Sequence, residues 1–241
     1  MQHPPAHASV LPARTTIRSA KLLLIWPGPW GPDLLTPSAA GRGQDVGMTE
    51  PDFKSNLRRY LQEGRDAMLW KLDGASEYDV RRPLVPTGTN LLGLVKHLTG
   101  IELGYFGDTF GRPWGEPPLW DESDPFADMF AAPGESRELL TGRYRQAWAH
   151  ADATIETLPL DATGHVPWWP AGRDEVTLHR VLVHVISETS RHAGHADIVR
   201  ELIDGAVGLV PARLNVPTGD QAGWPAHYDR VERAARQAAQ I

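Results

Sequence analysis

The chain has 241 residues, 41% hydrophobic and 22% charged, with a formal net charge of −6. That length suits one domain or two small ones and supplies enough apolar residue for a core that folds without covalent staples. Mild acidity leaves no basic footprint for nucleic acid, and the absence of cysteine excludes disulfides, thiolate nucleophiles and thiolate metal sites.

Residues 1–47 are rich in Pro and Gly and follow no period of strand or helix, a composition that stays unfolded. Their longest apolar run, "KLLLIW" at 21–26, falls short of a membrane span and of a signal-peptide core, so a cytoplasmic protein without membrane contact is expected. The expectation for 1–47 is a disordered extension, or a start site placed too early, with the native chain beginning at Met48.

From Met48 the spacing predicts four long helices. The first covers 51–73, with Phe53, Leu57, Tyr60, Leu61, Met68 and Leu72 at three- and four-residue steps and a stop at Gly74. The second starts near Thr89, whose hydroxyl is a candidate cap, and carries Leu91, Leu94, Val95, Leu98, Ile101 and Tyr105 to about Phe106. A Pro-, Trp- and Asp-rich loop follows, too long for a simple connection. The third helix covers 135–158 and the fourth runs from about Thr177 to Ile203, stopping at Gly205. Strand signals are almost absent, so the fold expected for 48–208 is an all-α four-helix bundle. Residues 209–241 read as a C-terminal tail with a possible short helix in "DRVERAARQAAQI".

The chemistry lies on the fourth helix, where "HVISETSRHAGHAD" (184–197) holds three histidines and a glutamate. With His184 at zero and 100° per residue, Glu188 falls at about 40°, His192 at about 80° and His195 at about 20°. Val181, Val185, Val199, Leu202 and Ile203 fall at about 60, 100, 60, 0 and 100°, which puts the polar cluster inside the apolar stripe. Imidazoles and a carboxylate buried there need compensation, and a divalent cation supplies it. Glu188 and His192 stack one turn apart; His97, between Leu94 and Ile101 on the second helix, is the candidate third ligand. Two imidazoles and a carboxylate leave coordination positions open, as catalytic metal sites do. His184 and His195 are expected to line the pocket, with His150 and His179 nearer solvent and His165 in a loop.

"LLGLVKHL" (91–98) and "HVISETSRHAGHADIVRELIDG" (184–205) resemble the DinB superfamily of four-helix bundles, over about residues 50–206. The resemblance implies a DinB-like four-helix bundle running up-down-down-up, with a divalent metal near one end and often a homodimer. It implies His97, Glu188 and His192 as metal ligands, and thiol-dependent chemistry of the kind found in mycothiol-dependent maleylpyruvate isomerase and in bacillithiol or mycothiol S-transferases. The chain departs from the family's Arg-Gly-Gln after the last ligand at Ala193 and His195.

The expected function is therefore metal-dependent transfer or addition of a low-molecular-weight thiol, mycothiol, to a small electrophile. Zinc is the first expectation for the ion, with nickel, iron and manganese also compatible with this ligand set. His195 or His184 would act as general acid or base, and Arg191, with Arg81 and Arg82, is a candidate for holding a carboxylate of thiol or substrate. Trp114, Trp120, Trp168 and Trp169 are candidate walls of the pocket mouth. Two rival readings stand beside this one: a non-catalytic metal-binding stress-response bundle, and a metal-assisted hydrolase in which Glu188 is a base.

Overall fold

The computed structural model describes residues 50–116, 120, 123–211, 213–214, 216 and 221–240; the expectations for residues 1–47 lie outside these. Four long helices appear within a few residues of their predicted places: α1 (Glu50–Trp70), α2 (Leu91–Phe106), α3 (Arg137–Thr157) and α4 (Leu178–Asp204). A short hairpin of β1 (Thr163–His165) and β2 (Glu175–Thr177) precedes α4, and α5 (Trp224–Ala239) ends the described chain.

Local chemistry sets the helix ends. Ser136 and Thr177 cap α3 and α4 by accepting from Leu139 N and Arg180 N, and Gly205 closes α4 at φ 75°, the left-handed turn that glycine adopts without a Cβ clash. The N-cap of α2 is Asn90, not Thr89. Asn90 Oδ1 accepts from Gly93 N at 2.7 Å while its amide donates to Gly88 O and Met129 O, a double use that a hydroxyl cannot match; Thr89 pairs with Thr87 instead. α1 stops at Trp70, earlier than expected. The carbonyls of Lys71 and Asp73 accept from the Arg200 guanidinium, which holds these residues in turns.

Cross-helix contacts fix the direction of each helix. Gly64 faces Thr189 and Lys71 pairs with Asp197, so α1 and α4 run parallel. Arg65 reaches Asp152 and Arg58 reaches Glu156, which sets α1 against α3. His97 meets His192 and Tyr105 meets His184, which sets α2 against α4. The order is up-down-down-up. Two apolar clusters fill the bundle, one around Leu72, Leu94, Leu98, Tyr144 and Val199, the other around Leu61, Phe106, Ile155, Val181 and Val185. At their junction the guanidinium of Arg65 grips Glu102 at 2.7 Å through both Nε and Nη2. These side chains are 1% and 0% exposed.

Because α2 and α3 are parallel, the chain between them must travel back the length of α2, about 24 Å for sixteen residues. The described parts of 107–136 do so as a strap along α2. Trp120 lies on Gly100, Asp128 meets His97, Met129 O is held by Asn90, and Lys96 donates to Phe130 O and pairs with Glu135 at 2.8 Å. Gly93 is what lets it lie so close: a Cβ there would run into the Met129 carbonyl.

The hairpin was not foreseen. Its strands are three residues each, with registers Thr163↔Thr177, Gly164↔Val176 and His165↔Glu175, too short for alternation to show in sequence. His165 is thus a strand residue. α5 begins at Trp224, five residues ahead of the expected segment, and none of its residues is buried. Among the described residues no helix is long and apolar enough to cross a membrane.

Candidate metal centre

The predicted buried stripe of α4 is displaced. Its buried residues run from Val181 and Val199 through Val185 and Ala196 to Ala193, an arc of about 60 to 180° in the rotation used above. α4 packs on α1 through Thr189 as well as on α2 through His192, which widens the arc on the side away from the histidines. His192 is buried, at 9% exposure, Glu188 and His184 are half-buried at the rim, and His195 and Leu202 are exposed. The polar cluster lines the edge of the α2–α4 seam, beneath the strap, rather than the middle of the core.

There His97 and His192 stand edge to face with ring centroids 4.9 Å apart, and His195 lies 5.4 Å from His192. His192 Nε2 is 3.7 Å from Glu188 Oε2. His97 Nδ1 is 2.6 Å from Asp128 Oδ2, on the strap. A carboxylate only accepts, so Nδ1 carries a hydrogen and Nε2 is the His97 nitrogen left to offer a lone pair. Burial lowers the His192 pKa to about 4, helped by the charges of His97, His195 and Arg191 and opposed by Asp128. His192 is therefore neutral at pH 7, and its Nδ1 is buried without a hydrogen-bond partner among the described residues. An orphaned buried imidazole nitrogen beside a carboxylate-oriented histidine and a second carboxylate matches the donor chemistry of a divalent ion. The predicted donors are neighbours, but their atoms are not drawn tightly together. Among the described residues, the group of metal-type donors all within 4.8 Å of one another is His165, Asp174 and Glu175. That group is a cross-strand arrangement on the exposed hairpin, with His165 Nδ1 3.3 Å from Glu175.

The remaining candidates fall in different places. His184 is two helical turns from His192, about 12 Å along the axis, with its ring against Tyr105 (4.7 Å) and Trp169 (5.2 Å). Burial lowers its pKa, the charge of Arg180 adding to this against the pull of Glu188. Tyr105 OH accepts from the indole N–H of both Trp168 and Trp169, so these two tryptophans wall the same seam. Trp114 instead packs on His150, which is half-buried and bonded to Arg112 O. Arg191 is exposed. Arg81 is spent on Glu77 and on Glu135 O, and Arg82 on Asp79.

A model of the mycothiol-S-transferases matches residues 56–205, a span that contains His97, Asp128, Glu188, His192 and His195. The chain belongs to the mycothiol-S-transferase family. The DinB-like resemblance read from the two motifs holds with it. No curated protein matches. A solved structure, the conserved protein of locus from Enterococcus faecalis, is similar at 15% identity and a TM-score of 0.44, covering 66% of this chain and 99% of that one; nothing below rests on it.

Within this mycothiol-S-transferase seam, Asp128 is the residue that sequence reasoning missed. The aspartates of the Pro- and Trp-rich loop were visible, but nothing local marks which one reaches a histidine 31 positions away.

The depressed His192 pKa has a consequence for stability. Between its folded value of about 4 and the ordinary 6.5 the unfolded chain binds a proton that the fold refuses, so unfolding gains favour as pH falls. In metal-free protein this contribution is absent above pH 6.5 and reaches about 3 kcal/mol of destabilisation below pH 4. Urea unfolding at pH 7 and pH 4.5 should show the loss in wild type and a smaller one in His192→Asn. Equal losses would remove His192 as the cause.

Proposed function

We propose that this chain transfers mycothiol to a small electrophile in the cytoplasm, at a divalent ion held by His97, Glu188 and His192, with zinc the first candidate. The reading rests on family membership and, within the structure, on one observation above all: the buried Nδ1 of a neutral His192, without a partner among the described residues, beside His97.

A bound ion supplies the Lewis acidity that lowers a thiol's pKa toward neutrality. The protein's residues do the rest. Asp128 holds His97 in one tautomer and one orientation. His195, exposed beside His192, takes the thiol proton on an imidazole nitrogen and releases it to solvent or product. The sulfur lone pair forms the C–S bond as the electrophile's leaving group departs with its electron pair, or as a conjugated double bond shifts and is protonated. Trp168 and Trp169 restrict water along the seam. A chain without cysteine borrows its nucleophile, as this scheme requires.

The test is to strip the full chain with a chelator, restore Zn²⁺, Ni²⁺, Fe²⁺ or Mn²⁺, and measure bound metal together with conjugation of mycothiol to a fluorogenic alkyl halide. Metal uptake with metal- and thiol-dependent conjugation is expected. A folded protein that takes up none of the four ions sinks the ligand assignment. Ester hydrolysis without thiol would replace the transferase with a metal-assisted hydrolase.

A further inference from the structure

One turn beyond Glu188 on α4, a cavity of about 540 Å³ opens between the helix and the hairpin. Trp169, Arg173, Arg180, His184 and Ser187 line it. Its two guanidinium groups come from different elements, Arg173 from the hairpin loop and Arg180 from α4. Among the described residues neither is within ion-pair distance of a carboxylate. Arg180 instead lies over the Trp169 ring, 4.8 Å from its centroid, and makes one long contact to Glu175 O at 3.4 Å.

The hairpin's own carboxylates do not line the cavity. Asp174 accepts from Gly172 N at 2.8 Å and faces His165 at 3.5 Å, while Glu175 faces the same imidazole at 3.3 Å. These two carboxylates are thus paired with His165 rather than with either arginine. What remains inside is two cations, a flat indole, and an imidazole with no hydrogen bond among the described residues.

From these facts we infer that the Arg173–Arg180 cavity binds the carboxylate end of a planar, unsaturated organic acid. Guanidinium groups match a carboxylate with paired N–H donors, and the Trp169 indole, lining the same cavity with Arg180 over its ring, gives the attached π system a flat apolar wall. Arg180 and Glu188 are separated by two turns, about 12 Å of helix. An acid of that span anchored at Arg180 would present its far carbons to the His97–Glu188–His192 corner. This inference rests on the proposed transfer reaction in making the electrophile the occupant, and on Glu188 being committed to the ion rather than repelling the acid.

The probes are benzoate and benzamide, identical in shape and different in charge, titrated into the ¹⁵N-labelled full chain while the Trp169 indole N–H is followed. Benzoate is expected to shift that resonance saturably. Benzamide, and benzoate with the Arg173→Met/Arg180→Met variant, should each bind at least about tenfold more weakly, the usual worth of a charged hydrogen bond. Both arginines are exposed, so the variant keeps its fold, which the rest of the spectrum reports.

Equal binding of the two probes, unchanged binding by the variant, or no benzoate response up to its solubility limit would each overturn the inference. Inorganic phosphate displacing benzoate at equal strength would overturn the preference for a planar acid. His192→Ala separates the two ideas. Benzoate binding that survives in His192→Ala, with or without metal uptake by wild type, upholds the cavity independently of the metal; metal uptake by wild type with no benzoate response sinks the cavity alone.

Discussion

His192→Ala is expected to abolish metal uptake and thiol transfer, and Asp128→Asn to weaken metal affinity by about 10- to 100-fold, the usual cost of losing a histidine's orienting carboxylate. The two variants fail for different reasons. The first removes a donor atom. The second keeps every proposed ligand but replaces a group that only accepts with one that also donates, so the 2.6 Å bond from His97 Nδ1 no longer dictates which nitrogen holds the lone pair. Competition with a chromophoric chelator gives the affinities, and circular dichroism checks the fold. Gly93→Ala supplies an independent route to the same result: its methyl group would collide with Met129 O and lift the strap while leaving His97, Asp128, Glu188 and His192 in the sequence. Wild-type metal affinity in Asp128→Asn would show that the strap does not orient His97.

The second large effect concerns stability alone. Arg65→Met should lower the unfolding free energy by about 3–5 kcal/mol, because it strands a fully buried carboxylate. Glu102 and Asp152 together hold the guanidinium, overcoming burial and raising the Arg65 pKa, while burial pushes the Glu102 carboxyl up against the pull of Arg65. Arg65→Met/Glu102→Met should recover most of the loss, since two unbranched apolar side chains fill similar volume with no charge left to solvate. Asp152 tolerates the change because its side chain is a third exposed. Urea denaturation of wild type, both single variants and the double variant closes the cycle. Additive losses would mean that the pair is not coupled.

How much of this was readable in sequence varies by element, for physical reasons. The four bundle helices were legible because each carries an apolar stripe at helical spacing over sixteen residues or more. The metal-type residues were legible because Glu188 and His192 share one helix and His97 sits in a second periodic segment. The precise edge of the α4 stripe was not: periodicity gives the direction of an apolar face, but its width depends on how many neighbours pack there. With α1 and α2 both against α4, Leu202 and His195 fall outside it. Asn90 displaced Thr89 as cap because of a loop bond to Met129 that is 39 residues distant in sequence. Asp128 was hidden for the same reason. A strap has no period, and its contacts are decided by the helix it crosses.

That strap also decides when the site comes into being. His97 and Asp128 are 31 residues apart, and His192 lies on a helix further along still, so no short segment contains the arrangement. In zinc fingers a metal gathers ligands from one local stretch and drives folding itself. Here three distant segments must already be docked before His97 has its orientation, and loop closure of that kind comes late for entropic reasons. During refolding the helical signal should therefore rise first, and the ordered imidazole pair should mark the completed molecule rather than seed it.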